Sequence, residues 1–297
     1  MNIIKKEKKI AIVTDSVADL PDSFVKEYNI KVVPLYIRFS GNSYKENIEI
    51  KPDKIYKELQ SGQILKTSTP TINDFIKAYK DIKENEDPDI IYSIHLSSIL
   101  SGTINSAIAA SRFIKGINIK IIDSKKAAIS EGFIVLSAAE AARSGASEEE
   151  MDILIERMIG SSYFYATFDN FEFIIKGGRA PFLAKFIGKA MVLKPIITFS
   201  PAGKLKLKKF CLNNRVSIKQ LHTLIRSDII NSDMGRCMIG ICYGDDKELA
   251  ERLRGFIEDD PQINVDDFVM TKMTSVMAAH TGPGIWGIAA CPAYKIK

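Results

Sequence analysis

Residues that build metal centres and disulfide frameworks are scarce in this sequence. Its 297 residues include four cysteines and three histidines, and no Cys-x-x-Cys pair occurs. Structural zinc sites and disulfide scaffolds need clustered ligands or paired cysteines, so we predict neither a metal nor a cofactor. Scattered thiols of this kind are typical of a reducing compartment.

Long apolar runs are missing as well. No stretch reaches the ~18 uninterrupted apolar residues that a membrane-spanning helix needs. The basic N-terminus is followed by an apolar run over residues 10–13 only, which is too short for the core of a signal peptide. We therefore expect a cytoplasmic protein.

The chain also lacks strong charge of either sign. Lys and Arg number 41 and Asp and Glu 36, which leaves a net charge of +5, and 46% of the residues are hydrophobic. This composition excludes disorder as the main state. The positive excess is too small and too scattered to predict a nucleic-acid partner.

The first half of the chain alternates between strand-like and helix-like segments. Each predicted strand is paired with the helix that follows it, at 9–14 and 20–28, 90–96 and 102–114, and 118–123 and 127–143. Ser147 and Glu150 form a capping box at the start of another helix. Such alternation is typical of a parallel sheet covered by helices.

The second half is richer in strands. Strands are predicted at 163–168, 194–199, 204–210, 237–243, 265–272 and 285–291. We place a boundary near residue 160 and predict a two-lobed α/β fold. The N-terminal lobe, 1–159, holds a parallel sheet, and the C-terminal lobe, 160–297, holds a mixed sheet.

The loop over residues 97–103 is the strongest candidate for a binding site. Its polar residues are Ser97, Ser98, Ser101, Gly102 and Thr103. It follows a buried strand and begins a helix, a position where free N–H groups suit a carboxylate or phosphate. Helix capping explains one hydroxyl, whereas several hydroxyls beside a glycine favour an anion-binding loop.

Residues 67–70 repeat the pattern more weakly. Thr69 is predicted to cap a helix that begins at Pro70, which leaves Thr67 and Ser68 free to face a ligand. Asp15 has the position of a phosphate-transfer nucleophile, but the usual Asp-x-Asp is absent, so we interpret it as a turn residue.

Two glycine-rich segments supply the remaining candidates. Arg179 follows a glycine pair that either caps a helix or brings its guanidinium to an anion. His280 precedes a Gly-Pro-Gly turn, which indicates a loop, and structural and ligand-binding roles are equally open.

Phenylalanines are concentrated between residues 163 and 199. This stretch holds seven of the 15 in the chain: Phe164, Phe168, Phe171, Phe173, Phe182, Phe186 and Phe199. They form either ordinary core or an apolar wall for a long ligand, and the sequence leaves both open.

Taken together, these motifs resemble those of the DegV family, the bacterial fatty-acid-binding proteins of the FakB type. The matching segments, in chain order, are 14–16, 67–70, 97–103, 122–124, 176–179, 194–196 and 279–284. The resemblance implies two α/β lobes with a fatty acid buried between or beside them. It also implies that hydroxyls at Thr67 and Ser101 hold the carboxylate, and that Arg179 and His280 match the family's surface and pocket residues.

The resemblance further implies a carrier that presents the acid to a separate kinase for phospholipid synthesis and is not itself the catalyst. The sequence departs from the family pattern at Thr69, where Gln is common. It also has Leu212 and Asn213 where the family has an Arg-Thr pair implicated in work with the kinase, and Arg215 follows three residues late.

The sequence thus predicts a ligand-binding set of Thr67, Ser68, Ser98, Ser101, Gly102, Thr103, Arg179 and His280. One alternative is a serine hydrolase that combines a loop serine, His280 and either Asp15 or Asp123, although no Gly-x-Ser-x-Gly motif occurs. Another is a phosphate-ester-binding protein that uses the same loop. Alternating lysines at 204–209 indicate a solvated edge strand or a transient membrane contact.

Overall fold

The structure, a computed structural model, describes residues 8–169, 172–189 and 193–293. The strands are β1 Ile10–Asp15, β2 Lys31–Val33, β3 Tyr36–Phe39, β4 Asn42–Lys45, β5 Lys66–Ser68, β6 Ile90–His95, β7 Asn118–Asp123, β8 Tyr163–Thr167, β9 Lys194–Phe199, β10 Leu205–Cys211, β11 Arg236–Tyr243, β12 Asn264–Lys272 and β13 Trp286–Pro292. The helices are α1 Asp22–Glu27, α2 Pro52–Gln60, α3 Ile72–Glu86, α4 Thr103–Ser111, α5 Ile129–Arg143, α6 Glu148–Ser161, α7 Glu172–Lys176, α8 Asn214–Asn231, α9 Lys247–Glu258 and α10 Ser275–Thr281, with 3₁₀ segments at Ser16–Ala18 and Pro181–Lys189.

A four-stranded parallel sheet in the order β2-β1-β6-β7 confirms the prediction for the first half. Successive residues of a strand point to opposite faces, and here both faces are apolar. Val13 and Ile91 pack with residues of α3 and α4, whereas Ile12 and Ile94 pack with residues of α5 and α6. Burial on both faces explains why β1 and β6 are continuous apolar runs.

A six-stranded sheet in the order β10-β9-β8-β13-β11-β12 confirms the mixed sheet of the second half. β11 pairs with β12 in parallel and with β13 antiparallel. One face packs on α8 and α9, and the other on α5 and α6, which also contact the parallel sheet. The core is therefore continuous across residue 160, near the end of α6, and the boundary there remains a prediction.

Apart from the helix expected to begin at Pro70, residues 31–86 hold elements that the sequence patterns did not indicate. A small antiparallel sheet in the order β4-β3-β5 lies here with α2 and α3. Its strands span only three or four residues each and are partly polar, so no hydrophobic alternation marks them.

The predicted helix start at Thr69 and Pro70 is wrong. The cap of α3 is Thr71, whose hydroxyl accepts from Asp74 N while the Asp74 side chain accepts from Thr71 N. By contrast, the capping box of Ser147 and Glu150 is confirmed. Within the described ranges, no helix is long and apolar enough to cross a membrane.

Candidate functional site

A cavity lies between the carboxyl edge of the parallel sheet, β5, α10 and the strands β8–β10. It encloses about 870 Å³ of empty space, its mouth included. Most of its lining is apolar: Val17, Leu35, Leu96, Leu100, Ala127, Phe164, Ala166, Ile174, Ile197, Phe199, Leu205, Val276, Met277 and Ile285. Both halves of the chain contribute walls, so the cavity exists only when the two sheets are assembled.

The segments that carry the polar lining residues contact one another. These residues are Thr67, Ser68, Thr69, Ser101, Arg179, His280 and Thr281. Thr67 Oγ1 lies 2.7 Å from His280 Nε2, and Arg179 Nε donates to Leu100 O at 3.3 Å, next to Ser101. A Cβ built on Gly102 would lie 3.7 Å from Thr69 Cγ2, so the loop over 97–103 meets the end of β5. The cavity therefore combines a long apolar wall with one polar cluster.

His280 is the buried ionisable group of this cluster. Burial, assisted by the nearby Arg179 guanidinium, lowers the pKa of His280 to about 4. The imidazole is therefore neutral at pH 7, with one nitrogen that donates and one that accepts. Nε2 faces Thr67, whereas Nδ1 is buried and has no hydrogen-bond partner among the described residues.

The expectation that His280 lies in a loop is wrong, because it occupies the last turn of α10. The helix ends at Gly282, which has a positive φ of 82°. A Cβ at that position would lie 2.7 Å from the Phe173 ring. The Gly-Pro-Gly signal marks the turn after the helix and does not extend back to the histidine.

Arg179 joins the two walls at the mouth. Besides Leu100 O, its guanidinium donates to Gly177 O at 2.5 Å. Partial burial lowers the pKa of the Arg179 guanidinium, yet arginine stays charged under all ordinary conditions. It is therefore the positive charge of the cavity lining.

Three predicted residues lie outside the cavity lining. Ser98 is exposed, and its hydroxyl donates to Asp123 Oδ2 at 2.6 Å. Thr103 is buried with its hydroxyl 2.9 Å from Ser101 Oγ, and Gly102 is the residue before α4. The structure thus brings Thr67, Ser68, Ser101, Arg179 and His280 together and leaves Ser98, Gly102 and Thr103 to shape the loop.

The serine hydrolase arrangement is not assembled. Asp15 Oδ2 lies 3.0 Å from His95 Nδ1, and His95 Nε2 lies 2.7 Å from Ser93 Oγ, with all three side chains buried. Asp123 accepts from Ser98. In the parts of the chain that the structure describes, no carboxylate orients His280, which a triad requires. The buried Asp15–His95–Ser93 array lies away from the cavity lining.

Several wall residues were missed by the sequence analysis. Val17 lies in the 3₁₀ segment that follows β1, and Leu35 lies between β2 and β3. Val276 and Met277 lie on α10. The one available signal was position, since ligands of open α/β sheets bind beyond the carboxyl ends of strands. Of the phenylalanine-rich stretch, Phe164 and Phe199 line the cavity with ring centroids 5.5 Å apart. Phe171 lies outside the described residues.

Known proteins resemble this chain both in sequence and in fold. A DegV domain-containing protein of Staphylococcus aureus is 31% identical over 280 residues, which cover 94% of this chain and 98% of that protein. A solved structure described as fatty acid binding of a DegV family protein from Thermus thermophilus is 28% identical. It has a TM-score of 0.89 and covers 96% of this chain and all of its own.

A crystal structure described as DegV, a fatty acid binding protein from Bacillus subtilis, is 27% identical. Its TM-score is 0.84, and the match covers 96% of this chain and all of that one. The family model described as "Uncharacterised protein, DegV family" matches residues 9–293. Sequence, motifs and topology agree over nearly the whole length, and the chain belongs to the DegV family.

Proposed function

We propose that this protein binds a long-chain fatty acid in the cavity, with the carboxylate held by Thr67, Ser101, Arg179 and His280. The observation that carries the proposal is the composition of the lining, which is mostly apolar and also holds hydroxyls, a neutral imidazole and a guanidinium. The Thermus thermophilus and Bacillus subtilis relatives, described as fatty acid binding, support it.

Burial of the acyl chain supplies the affinity. About 15 methylene groups gain roughly 12 kcal/mol on full burial, at ~0.8 kcal/mol each. The entropy lost on binding offsets much of that gain. An unpaired buried carboxylate would be very unfavourable, so the polar cluster decides whether a fatty acid or a plain hydrocarbon binds.

The cluster offers suitable donors. With its proton on Nε2, neutral His280 donates to Thr67 Oγ1, and the Thr67 proton is then free to bind the carboxylate. Ser101 contributes a second hydroxyl and Arg179 a charge-assisted donor. Ser68 is a further hydroxyl in the lining, close to the Thr67 position.

We infer that the protein is a cytoplasmic carrier, not an enzyme, and that a separate fatty acid kinase acts on the acid it presents. The absence of a carboxylate behind His280 in the described residues supports a binding role. Leu212, which replaces the family's Arg, is 67% exposed at the start of α8. A kinase partner would therefore meet an apolar side chain here, and Arg215 one turn further on.

Native mass spectrometry of freshly purified protein tests the proposal. We expect a bound mass in the range of long-chain fatty acids, and loss of that mass in Thr67→Ala combined with Ser101→Ala. Ser98→Ala is the matched control, since it removes a hydroxyl of the same loop that lies outside the cavity lining. Retention of lipid by the double variant contradicts the head-group assignment, and a bound phosphate ester contradicts the fatty acid.

A further inference from the structure

Two buried carboxyl groups from distant parts of the chain hold the first turn of α10. Asp19 Oδ1 accepts from Thr274 N at 2.9 Å, and Glu46 Oε1 accepts from Val276 N at 2.6 Å. The side chain of Thr274, the residue before the helix, makes no capping hydrogen bond. Asp19 and Glu46 thus bind N–H groups that the helix itself leaves without partners.

Glu46 also connects three segments of the cavity wall. Its Oε2 accepts from Ser16 Oγ at 2.5 Å, and Ser16 Oγ in turn accepts from Leu35 N at 3.0 Å. Leu35, Val276 and Val17, the neighbour of Ser16, all line the cavity. Glu46 itself is fully buried behind that wall and is absent from the lining.

The surroundings of this pair are acidic. Asp15 faces both Asp19 and Glu46, and Tyr56 lies near both. Glu131 and Cys242 face Asp19 from α5 and β11, and His95 is hydrogen-bonded to Asp15. Among the described residues, no Lys or Arg pairs with Asp19 or Glu46.

Burial raises the pKa of Asp19 to about 7 and that of Glu46 to about 8. Four acidic residues, Asp15, Asp19, Asp22 and Glu46, contribute to the lining of a second cavity of about 760 Å³, its mouth included. That cavity provides a route for proton exchange with solvent, so both groups are able to change their protonation state in the folded protein.

We propose that Glu46 and Asp19 are positioning residues for the fatty-acid site: they fix the first turn of α10, and through that helix the place of His280, in a way that depends on their protonation. The inference rests on the proposed function. Two side chains that do not touch the ligand thereby support the binding site, and the affinity for fatty acid depends on pH.

The direction of the pH effect follows from the charges. Below pH 7 both groups are neutral, and each still accepts from the α10 backbone through its carbonyl oxygen. As the pH rises through 7 to 8 both groups become charged in a buried place with no cation to offset them. The cost of the desolvated charges, with repulsion between the two groups as a smaller contribution, outweighs the stronger hydrogen bonds that charged oxygens make to α10 and favours an arrangement that water can enter. The first turn of α10 then loosens, so fatty-acid affinity falls between pH 7 and pH 9.

A titration with cis-parinaric acid, a fluorescent fatty acid, from pH 6.5 to 9.5 tests the proposal. For the natural protein we expect Kd to rise about tenfold between pH 7 and pH 9, the change for one coupled proton on a group with a pKa of about 8. In Glu46→Gln the amide oxygen accepts from Val276 N and the amide nitrogen donates to Ser16 Oγ, as the protonated carboxyl does, so the affinity at pH 7 is retained and the pH profile is flatter. The ionisation of cis-parinaric acid itself affects both proteins equally, so it does not contribute to the difference between their pH profiles.

Glu46→Ala removes the link, and we expect at least about tenfold weaker binding at pH 7, or 1.4 kcal/mol. Glu131→Gln is the matched control, because Glu131 is equally buried among the same acids but bonds to Thr14, not to α10. The imidazole ¹⁵N resonances of His280 give a ligand-independent readout. They should shift with pH in the natural protein and shift less in Glu46→Gln, in which only Asp19 still titrates.

Identical pH profiles for the natural protein and Glu46→Gln overturn the proposal. So does Glu46→Ala with a lowered melting temperature but unchanged affinity, since that result shows a purely structural role. Failure of the proposed function looks different, because the natural protein would then bind no cis-parinaric acid at any pH.

Discussion

At the scale of single residues, the ligand site depends on the close approach of the Gly177 backbone to the His280 imidazole. A Cβ built on Gly177 would lie 2.6 Å from His280 Nδ1 and 3.1 Å from Phe173 O. The distance to His280 Nδ1 is shorter than side chains tolerate, and the distance to Phe173 O is tight. The imidazole therefore keeps its contact with Thr67 because residue 177 has no side chain. The glycine that a sequence reader interprets as a helix cap is here also a space requirement.

Gly177→Ala therefore displaces the His280 ring and breaks its bond to Thr67. We expect fatty-acid affinity to fall by about tenfold, the effect of losing roughly one hydrogen bond of 0.5–1.5 kcal/mol together with a disturbed packing contact. Titration with a fluorescent fatty acid measures this. Gly160→Ala is the control, since a Cβ there meets nothing within 4 Å, and unchanged affinity in both variants would refute the argument.

Residue types and local spacing predicted Thr67, Ser68, Ser101, Arg179 and His280, and the structure places all five on one cavity. The same reasoning also selected Ser98, Gly102 and Thr103, which lie outside the cavity lining. Residue type does not reveal the direction of a side chain within a loop, because tertiary contacts such as that between Ser98 and Asp123 set it. Glu46 carried no local signal at all. Its role arises from segments that are far apart in the chain.

At the scale of elements, long periodic segments were predictable and short polar ones were not. β1, β6 and α5 are buried along nearly their whole length and mostly apolar, so the local hydrophobic pattern identifies them. The strands β4 and β5 are stabilised by pairing with β3. Pairing between separate segments leaves no hydrophobic pattern within the short strands themselves, so the sequence did not predict them.

The edge strand β10 shows a further limit. A bulge between Leu207 and Lys209 interrupts its pairing with β9. The expected alternation of lysines is therefore only partly correct, because Lys206, Lys208 and Lys209 are all exposed. A bulge with charged residues on an edge strand prevents pairing with other chains, and it also concentrates positive charge on one surface.

That surface allows a test of membrane contact during lipid exchange. Basic side chains near an anionic membrane contribute about 1 kcal/mol each, so transfer of fatty acid from anionic vesicles should be faster than from neutral ones and should slow as salt rises. We expect Lys206→Gln with Lys208→Gln to remove much of this difference. Lys77→Gln with Lys80→Gln, on the exposed face of α3, is the control, and transfer rates insensitive to salt would contradict the contact.

At the scale of the whole molecule, one cluster of buried side chains joins the two sheets. It includes Ile12 and Ile94 of the parallel sheet, Phe133 of α5, and Phe164 and Met238 of the mixed sheet. The cavity lies between this core, which contributes Ile197, and a second buried cluster, which contributes Leu96. A ligand that fills it contacts both halves of the chain, so binding and global folding are coupled.

The coupling predicts how lipid affects unfolding. A ligand that binds only the folded state stabilises it by RT ln(1 + [L]/Kd), about 2.7 kcal/mol at 100 times Kd. For a chain of 297 residues we expect the melting temperature of delipidated protein to rise by roughly 4 °C on addition of fatty acid. Differential scanning calorimetry should show a single transition that moves as a whole. The Thr67→Ala, Ser101→Ala double variant should show little shift. Two transitions, of which one ignores the lipid, would mean that the halves before and after residue 160 unfold independently and that the ligand is confined to one of them.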